Sequence, residues 1–195
     1  MYKSIIKPTV DFLIAVMAFP FFCIIWLGVF IAIKLDDGGP IFYMAERIGK
    51  GGKKLMMYKF RSMKVNAQNI LNADGSTYNA KDDPRVTKVG RFLRETSLDE
   101  TAQLLNILKG EMSLIGPRSS EWYTLDSYKP DEIDKLKVKP GITGYTQAYF
   151  RNSISSREKR VKDAWYANHI SFSLDVKIFF KTIVTVLKHE NVYTN

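Results

Sequence analysis

Cysteine and histidine are scarce in this chain. Its 195 residues include one cysteine, Cys23, so no disulfide framework exists. The two histidines, His169 and His189, are isolated from each other and from Cys23, which excludes a zinc site of the usual ligand spacing. A metal here would be a hard cation on oxygen ligands, most plausibly magnesium. Internal repeats and low-complexity tracts are also missing. Acidic residues are outnumbered, 20 against 29 Lys and Arg, giving a net charge of +9 that calls for an anionic partner: nucleic acid, anionic lipid or a phosphorylated substrate. The 46% hydrophobic content argues against disorder and supports one compact domain with appendages.

Charge is absent altogether from Phe12 to Ile33. That run is about the length that crosses a hydrocarbon core of ~30 Å. Lys3 and Lys7 precede it, and Lys34, Arg47, Lys50, Lys53 and Lys54 follow it. Both flanks therefore prefer the cytoplasm, which a straight span cannot satisfy. Pro20 falls inside the run, where it removes a helix hydrogen bond and favours a bend. Two arrangements fit: a re-entrant hairpin that dips into one leaflet, and an ordinary kinked span.

Beyond Pro40 the chain is polar and punctuated by glycine. Pro40-Ile-Phe-Tyr-Met and Leu55-Met-Met-Tyr-Lys-Phe-Arg read as strands joined by the basic turn Arg47-Ile-Gly-Lys-Gly-Gly-Lys-Lys. That turn lacks the spacing of a P-loop. Val65 to Asn72 is expected as a short helix, Ala73 to Pro84 as a loop, and Ser119 to Ser127 and Pro130 to Leu136 as short helices. Lys139-Pro-Gly-Ile-Thr-Gly reads as a turn. Ser155 and Glu158 have capping-box spacing for a helix through Asn168. Ser173 is placed to cap a last helix whose Val176, Phe179, Phe180, Ile183, Val184 and Leu187 share one face. Core packing is the first reading of that face, and a helix in the membrane interface the second.

The segment Asp82 to Arg118 carries the chemistry. Asp99 and Glu100 are adjacent, with Arg85, Arg91 and Arg94 before them and Arg118 after. Ser97-Leu98-Asp99-Glu100 fits a capping box, so both acids have a structural explanation. The same helix start is also an anion site, where an ionised Asp could attack phosphorus and form an acyl phosphate. Arg61, Arg85, Arg91, Arg94, Arg118 and Arg151 offer the planar fork that grips phosphate. Arg61 at a strand end and Arg118 after Gly116-Pro117 stand out, because tight backbone there would aim each side chain. A membrane-anchored module that grips anionic lipid without catalysis is the competing reading.

In order along the chain stand the apolar segment, Glu46-Arg-Ile-Gly, Lys59-Phe-Arg-Ser-Met, Asp83-Pro-Arg-Val-Thr, Gly90-Arg-Phe-Leu-Arg, Ser97-Leu-Asp-Glu, Gln103, Asn106, Lys109-Gly-Glu-Met-Ser-Leu-Ile-Gly-Pro-Arg and Lys139-Pro-Gly-Ile-Thr-Gly. This ordered set resembles the bacterial sugar transferase family, the monotopic phosphoglycosyl transferases, in their minimal catalytic form. The resemblance implies an α/β fold, mostly helical with a small β-hairpin: a re-entrant membrane helix-hairpin over residues 1–36, and a cytoplasmic-face catalytic domain over 37–195 with interfacial amphipathic helices. It implies transfer of a phosphosugar from a UDP-sugar to polyprenol (undecaprenyl) phosphate at the bacterial inner membrane, with release of UMP. Asp99 would be nucleophile and magnesium ligand, with Glu100 as its partner. Lys59, Arg94, Arg118 and Arg151 would serve phosphate and nucleotide, Asp175 would lie near the site, and Pro20 would bend the membrane helix. The implied partners are those two substrates and inner-membrane lipid, without nucleic acid; a homo-oligomer is left open. Three departures stand out. Thr101-Ala102-Gln103 replaces the usual Leu-Pro-Gln, Ser119 replaces a Pro, and Phe19 precedes Pro20 where a Ser is common.

Overall fold

The uncharged run forms the greater part of one long helix, α1 (Lys7–Asp37), which follows a short π-type turn at Tyr2–Ile6. The computed structural model describes residues 1–72, 78, 80 and 82–188. The helix is continuous through Pro20, although that residue has no N–H to give to the turn before it. Gly38, in the left-handed region at φ 69°, ends it. At ~1.5 Å per residue, α1 is roughly 46 Å long.

One narrow stripe of α1 touches the rest of the protein along its whole length. Lys7, Asp11, Ala15, Val29 and Ile33 are its buried residues, and Phe19, Phe22 and Trp26 join the stripe between them. Every other face is apolar and open, with Phe21 at 72% and Ile24 at 74% exposure. Both ends are fastened. Lys7 Nζ lies 2.9 Å from an Asp175 carboxylate oxygen, and Lys3 Nζ donates to Ala167 O. At the other end Asp36 accepts from Val89 N, and Asp37 receives the guanidinium of Arg61.

The expected hairpin forms from β1 (Phe42–Ile48) and β2 (Lys54–Phe60), antiparallel, with Phe42 opposite Phe60 and Ile48 opposite Lys54. Val65 to Asn72 is not helical. Asn66 adopts a left-handed φ of 60°, and tertiary bonds take the backbone groups a helix would use. Lys64 N donates to Arg85 O, and Gln68 O accepts from Arg85 Nη1. Of the expected loop from Ala73 to Pro84, residues 73–77, 79 and 81 lie outside the described set, as does His189.

Then follow α2 (Lys88–Glu95), a 3-10 helix at Leu98–Gln103, α3 (Leu104–Leu108) and the short strand β3 (Ser113–Ile115). Two further 3-10 helices, Trp122–Ser127 and Ile133–Lys137, match the short helices expected there. The Lys139–Gly144 stretch is more than a turn: its Gly141–Thr143 is strand β4, parallel to β3. Glycine makes that pairing feasible, since a Cβ on Gly144 would stand 1.9 Å from Gly116 O. The chain closes with α4 (Tyr145–Tyr149), α5 (Ser156–Asn168), whose Ser155–Glu158 capping box is present, and α6 (Phe172–Leu187).

The core-packing reading of α6 is overturned. Phe179, Phe180, Ile183, Val184 and Leu187 are all exposed, while Asp175, Ile178 and Thr185 face inward. Ser171 rather than Ser173 caps the helix, accepting from Leu174 N. The apolar periodicity was real but marked the outward face.

The core is helical and sheet-backed. Ala15 of α1 packs with Ala45, Leu55, Met57, Leu104, Ile107 and Met112. Val29 and Ile33 pack with Phe60, Leu93 and Ala102.

Candidate active site

Strand alternation aims Lys59. Leu55 and Met57 point from β2 into the core, and Lys59, two residues on, continues that face toward the 3-10 helix at Leu98–Gln103. Asn106 fixes the strand there. Fully buried, it accepts from Tyr58 N at 3.0 Å and donates to Met56 O and to Glu111.

The dyad turn does not follow the capping-box expectation. Ser97 is left-handed, at φ 59°, and its side chain caps nothing. Turning the backbone this way swings the Glu100 carboxylate off the helix start and onto cations. Lys59 Nζ reaches it at 2.8 Å and Arg118 Nη2 at 3.5 Å. Asp99 is buried. Among the described residues, no hydrogen bond to its carboxylate is present.

The two acids are pushed apart. Burial is the largest influence on Asp99 and pushes its carboxyl up; Lys59 opposes this, Glu100 adds to it, and Arg94 and Arg118 pull down, leaving it raised to about 6. Burial pushes Glu100 up as well, but the charges and hydrogen bonds of Lys59 and Arg118 outweigh it and hold the group well below the usual glutamate range. Adjacent acids with separated affinities for a proton mark a division of labour. Glu100 is a fixed anion that positions cations. Asp99 is an under-solvated carboxylate whose charge lacks full compensation, and such groups concentrate at functional sites.

Arg94, in the last turn of α2, donates to Ser62 and acts on Asp99 through its charge. Arg118 leaves β3 with its backbone gripped on both sides. Its N–H donates to buried Asp163 at 3.0 Å, and its carbonyl accepts from buried Lys135 at 2.8 Å. The guanidinium itself remains half open to solvent. Nothing in the sequence pattern singled out Lys135 or Asp163, which look like ordinary surface charges until the fold buries them.

Of the other expected residues, Asp175, Arg61 and Arg85 pair outside the dyad. Arg151 follows α4 with a φ of 44°, donating its N–H to Thr146 O. Thr146 also bonds Asp163, so the Arg151 turn is braced against the residue that holds Arg118. Asp175 is buried among Tyr2, Tyr166 and Lys7, accepting from the two hydroxyls at 2.8 and 2.6 Å. Arg61 is indeed aimed by tight backbone, but at Asp37, Pro40 O and Met63 O. Arg85 closes on Asp83 and two backbone carbonyls. Both are tied up in holding loops. Among the described residues no group of three His, Cys, Asp or Glu gathers as a metal cage.

The chain is 38% identical to the undecaprenyl-phosphate galactose phosphotransferase of Salmonella typhimurium, over 93% of this chain and 39% of that protein. It is 37% identical to the UDP-N-acetylgalactosamine-undecaprenyl-phosphate N-acetylgalactosaminephosphotransferase of Aeromonas hydrophila, over 94% of this chain and 44% of the other. Against the exopolysaccharide production protein ExoY of Sinorhizobium fredii, identity is 38% over 97% of this chain and 89% of the relative. The chain thus spans about two fifths of the length of the first two and about nine tenths of the third. The family model described as bacterial sugar transferase matches residues 2–189, a stretch that takes in α1, the dyad and all of its cations, and the chain accordingly belongs to that family.

Proposed function

We propose that this protein transfers a phosphosugar from a UDP-sugar to a polyprenol phosphate through a covalent intermediate on Asp99. The observation that carries this is the asymmetric dyad: a buried, poorly compensated Asp99 beside a Glu100 neutralised by Lys59 and Arg118. An Asp99 oxygen attacks the phosphorus that bears the sugar. The bond from that phosphorus to the bridging oxygen breaks, and UMP leaves with the electron pair. A phosphate oxygen of the polyprenol phosphate then attacks the same phosphorus, and Asp99 is released as carboxylate. Such chemistry is chiefly positioning and neutralisation of phosphoryl oxygens. Arg118, held by its backbone, would grip those oxygens, and Arg94 would add its charge.

The donor set fits magnesium. This ion is commonly held by one or two carboxylates, with phosphates and water completing its shell. Asp99 is the residue that would hold it here, and the bound ion would neutralise charge developing on the diphosphate. The names of the relatives, which specify undecaprenyl phosphate with galactose or N-acetylgalactosamine, support the substrate class.

The stripe on α1 supports a monotopic placement. A helix that crosses a bilayer leaves one end far from a body on the other side; here both ends are bonded to one body. The lipid phase would meet the open faces of α1 together with Phe179, Phe180 and Leu187 of α6, with Lys177 and Lys181 reaching toward the headgroups. The positive flanks favour the cytoplasmic face for that body.

The deciding measurement is UMP release from UDP-sugars by purified protein with magnesium and undecaprenyl phosphate. Asp99→Asn should abolish it and should no longer trap a phosphosugar on the protein. Turnover like that of the wild type would overturn the nucleophile.

A further inference from the structure

Trp26 is the one α1 residue that packs against both major core clusters. Its indole ring stands edge-on to Phe60, with centroids 5.7 Å apart, and to Phe19 at 5.8 Å. Its Nε1–H donates to Thr101 Oγ1 at 3.2 Å, and the Thr101 hydroxyl in turn donates to Leu98 O at 2.7 Å. Phe60 is the neighbour of Lys59, and Thr101 is the neighbour of Glu100. A single side chain from the apolar helix thus touches both segments that carry the Lys59–Glu100 pair. The helix residues around it, Ile24, Ile25 and Leu27, face outward.

We infer that Trp26 is a positioning residue for the dyad. Its ring and its Nε1–H lock α1 to β2 and to the dyad turn, and so fix the distance between Lys59 and Glu100. The inference rests on the transfer reading above. Lys59 Nζ stands 2.8 Å from the Glu100 carboxylate, and a dyad turn that loosens lets that pair separate.

The test uses the full chain in nanodiscs and compares wild type with W26F, T101V and the double variant. W26F keeps a ring, and T101V keeps the shape of threonine. Each should lower kcat by roughly five- to tenfold, the scale of one neutral hydrogen bond. KM for the UDP-sugar should stay within about twofold, a split that marks lost positioning rather than lost substrate binding. The double variant should be no worse than T101V, which already removes the indole bond. A W26F protein with wild-type kcat would overturn the inference, and so would effects that multiply in the double variant. If the wild type transfers no phosphosugar, the transfer reading falls instead. The link is then judged by amide exchange, which W26F must speed across Leu98–Gln103 while leaving Ser113–Ile115 unchanged.

Discussion

Asp99 and Asp175 are both buried aspartates beside lysine, yet the fold treats them in opposite ways. Asp175 receives two tyrosine hydroxyls and the Lys7 ammonium, so its charge is fully met, and it ties α6 and α5 to the start of α1. Asp99 is buried as well, without a hydrogen bond to its carboxylate among the described residues, and burial raises its proton affinity although Lys59 opposes the rise. Burial alone therefore does not mark a reactive carboxylate. The mark is burial combined with a shortage of donors, which leaves the group to be satisfied by whatever binds.

Exchanging each aspartate for asparagine is the sharpest way to break this comparison. Asp99→Asn should cut turnover by roughly 10⁴-fold or more, as loss of a nucleophile does, with little change in thermal unfolding. Asp175→Asn should behave in the reverse manner. It leaves Lys7 buried without its full counter-charge, at a cost of about 3 kcal/mol in stability, and the folded fraction should still turn over. A melting curve and a UMP assay on both variants separate the roles.

Removing the lysine tests why Asp99 differs. Lys59→Met takes away the main influence holding the Asp99 carboxyl down. Turnover should fall by roughly 10²-fold, and the acid limb should shift to higher pH. For the wild type the sign is set by the raised Asp99: the reactive form is the anion, so activity should be lost as pH falls through about 6. A limb near pH 4 would mean that burial does not act on this group as described. The smallest effect is expected far from the dyad. Leu187→Ser on the open face of α6 should weaken liposome binding by about tenfold, the worth of one buried apolar side chain, with kcat unchanged once the protein is bound.

Much of this was legible in the sequence because it is local. The helix of the uncharged run, the β1–β2 hairpin with its glycine turn and the Ser155–Glu158 cap each depend on residues close together, and each is present, although the helix runs unbroken through Pro20 where a hairpin or a kink was expected. Adjacent Asp99 and Glu100 could be picked out for the same reason. What the sequence hid is decided by long-range pairing. Nothing near Arg61 or Arg85 says that Asp37 and Asp83 will occupy them. The left-handed Ser97, which undoes the capping box and frees Glu100 for Lys59, is imposed by the junction of two helices. The period of α6 was read correctly, but a hydrophobic stripe does not say whether protein or lipid will cover it.

The stripe along α1 has a further consequence, for anyone wishing to handle this protein in water. Ala15, Trp26, Val29 and Ile33 complete the same clusters that contain Leu55, Phe60, Leu93 and Ala102. Cutting the chain after Asp37 would not release a soluble enzyme from its anchor. It would open a trough of apolar side chains beneath the dyad and remove the partners that fix β2. Detergent or lipid is therefore a condition of keeping the active site assembled, because part of that site's foundation is the segment that seeks the bilayer.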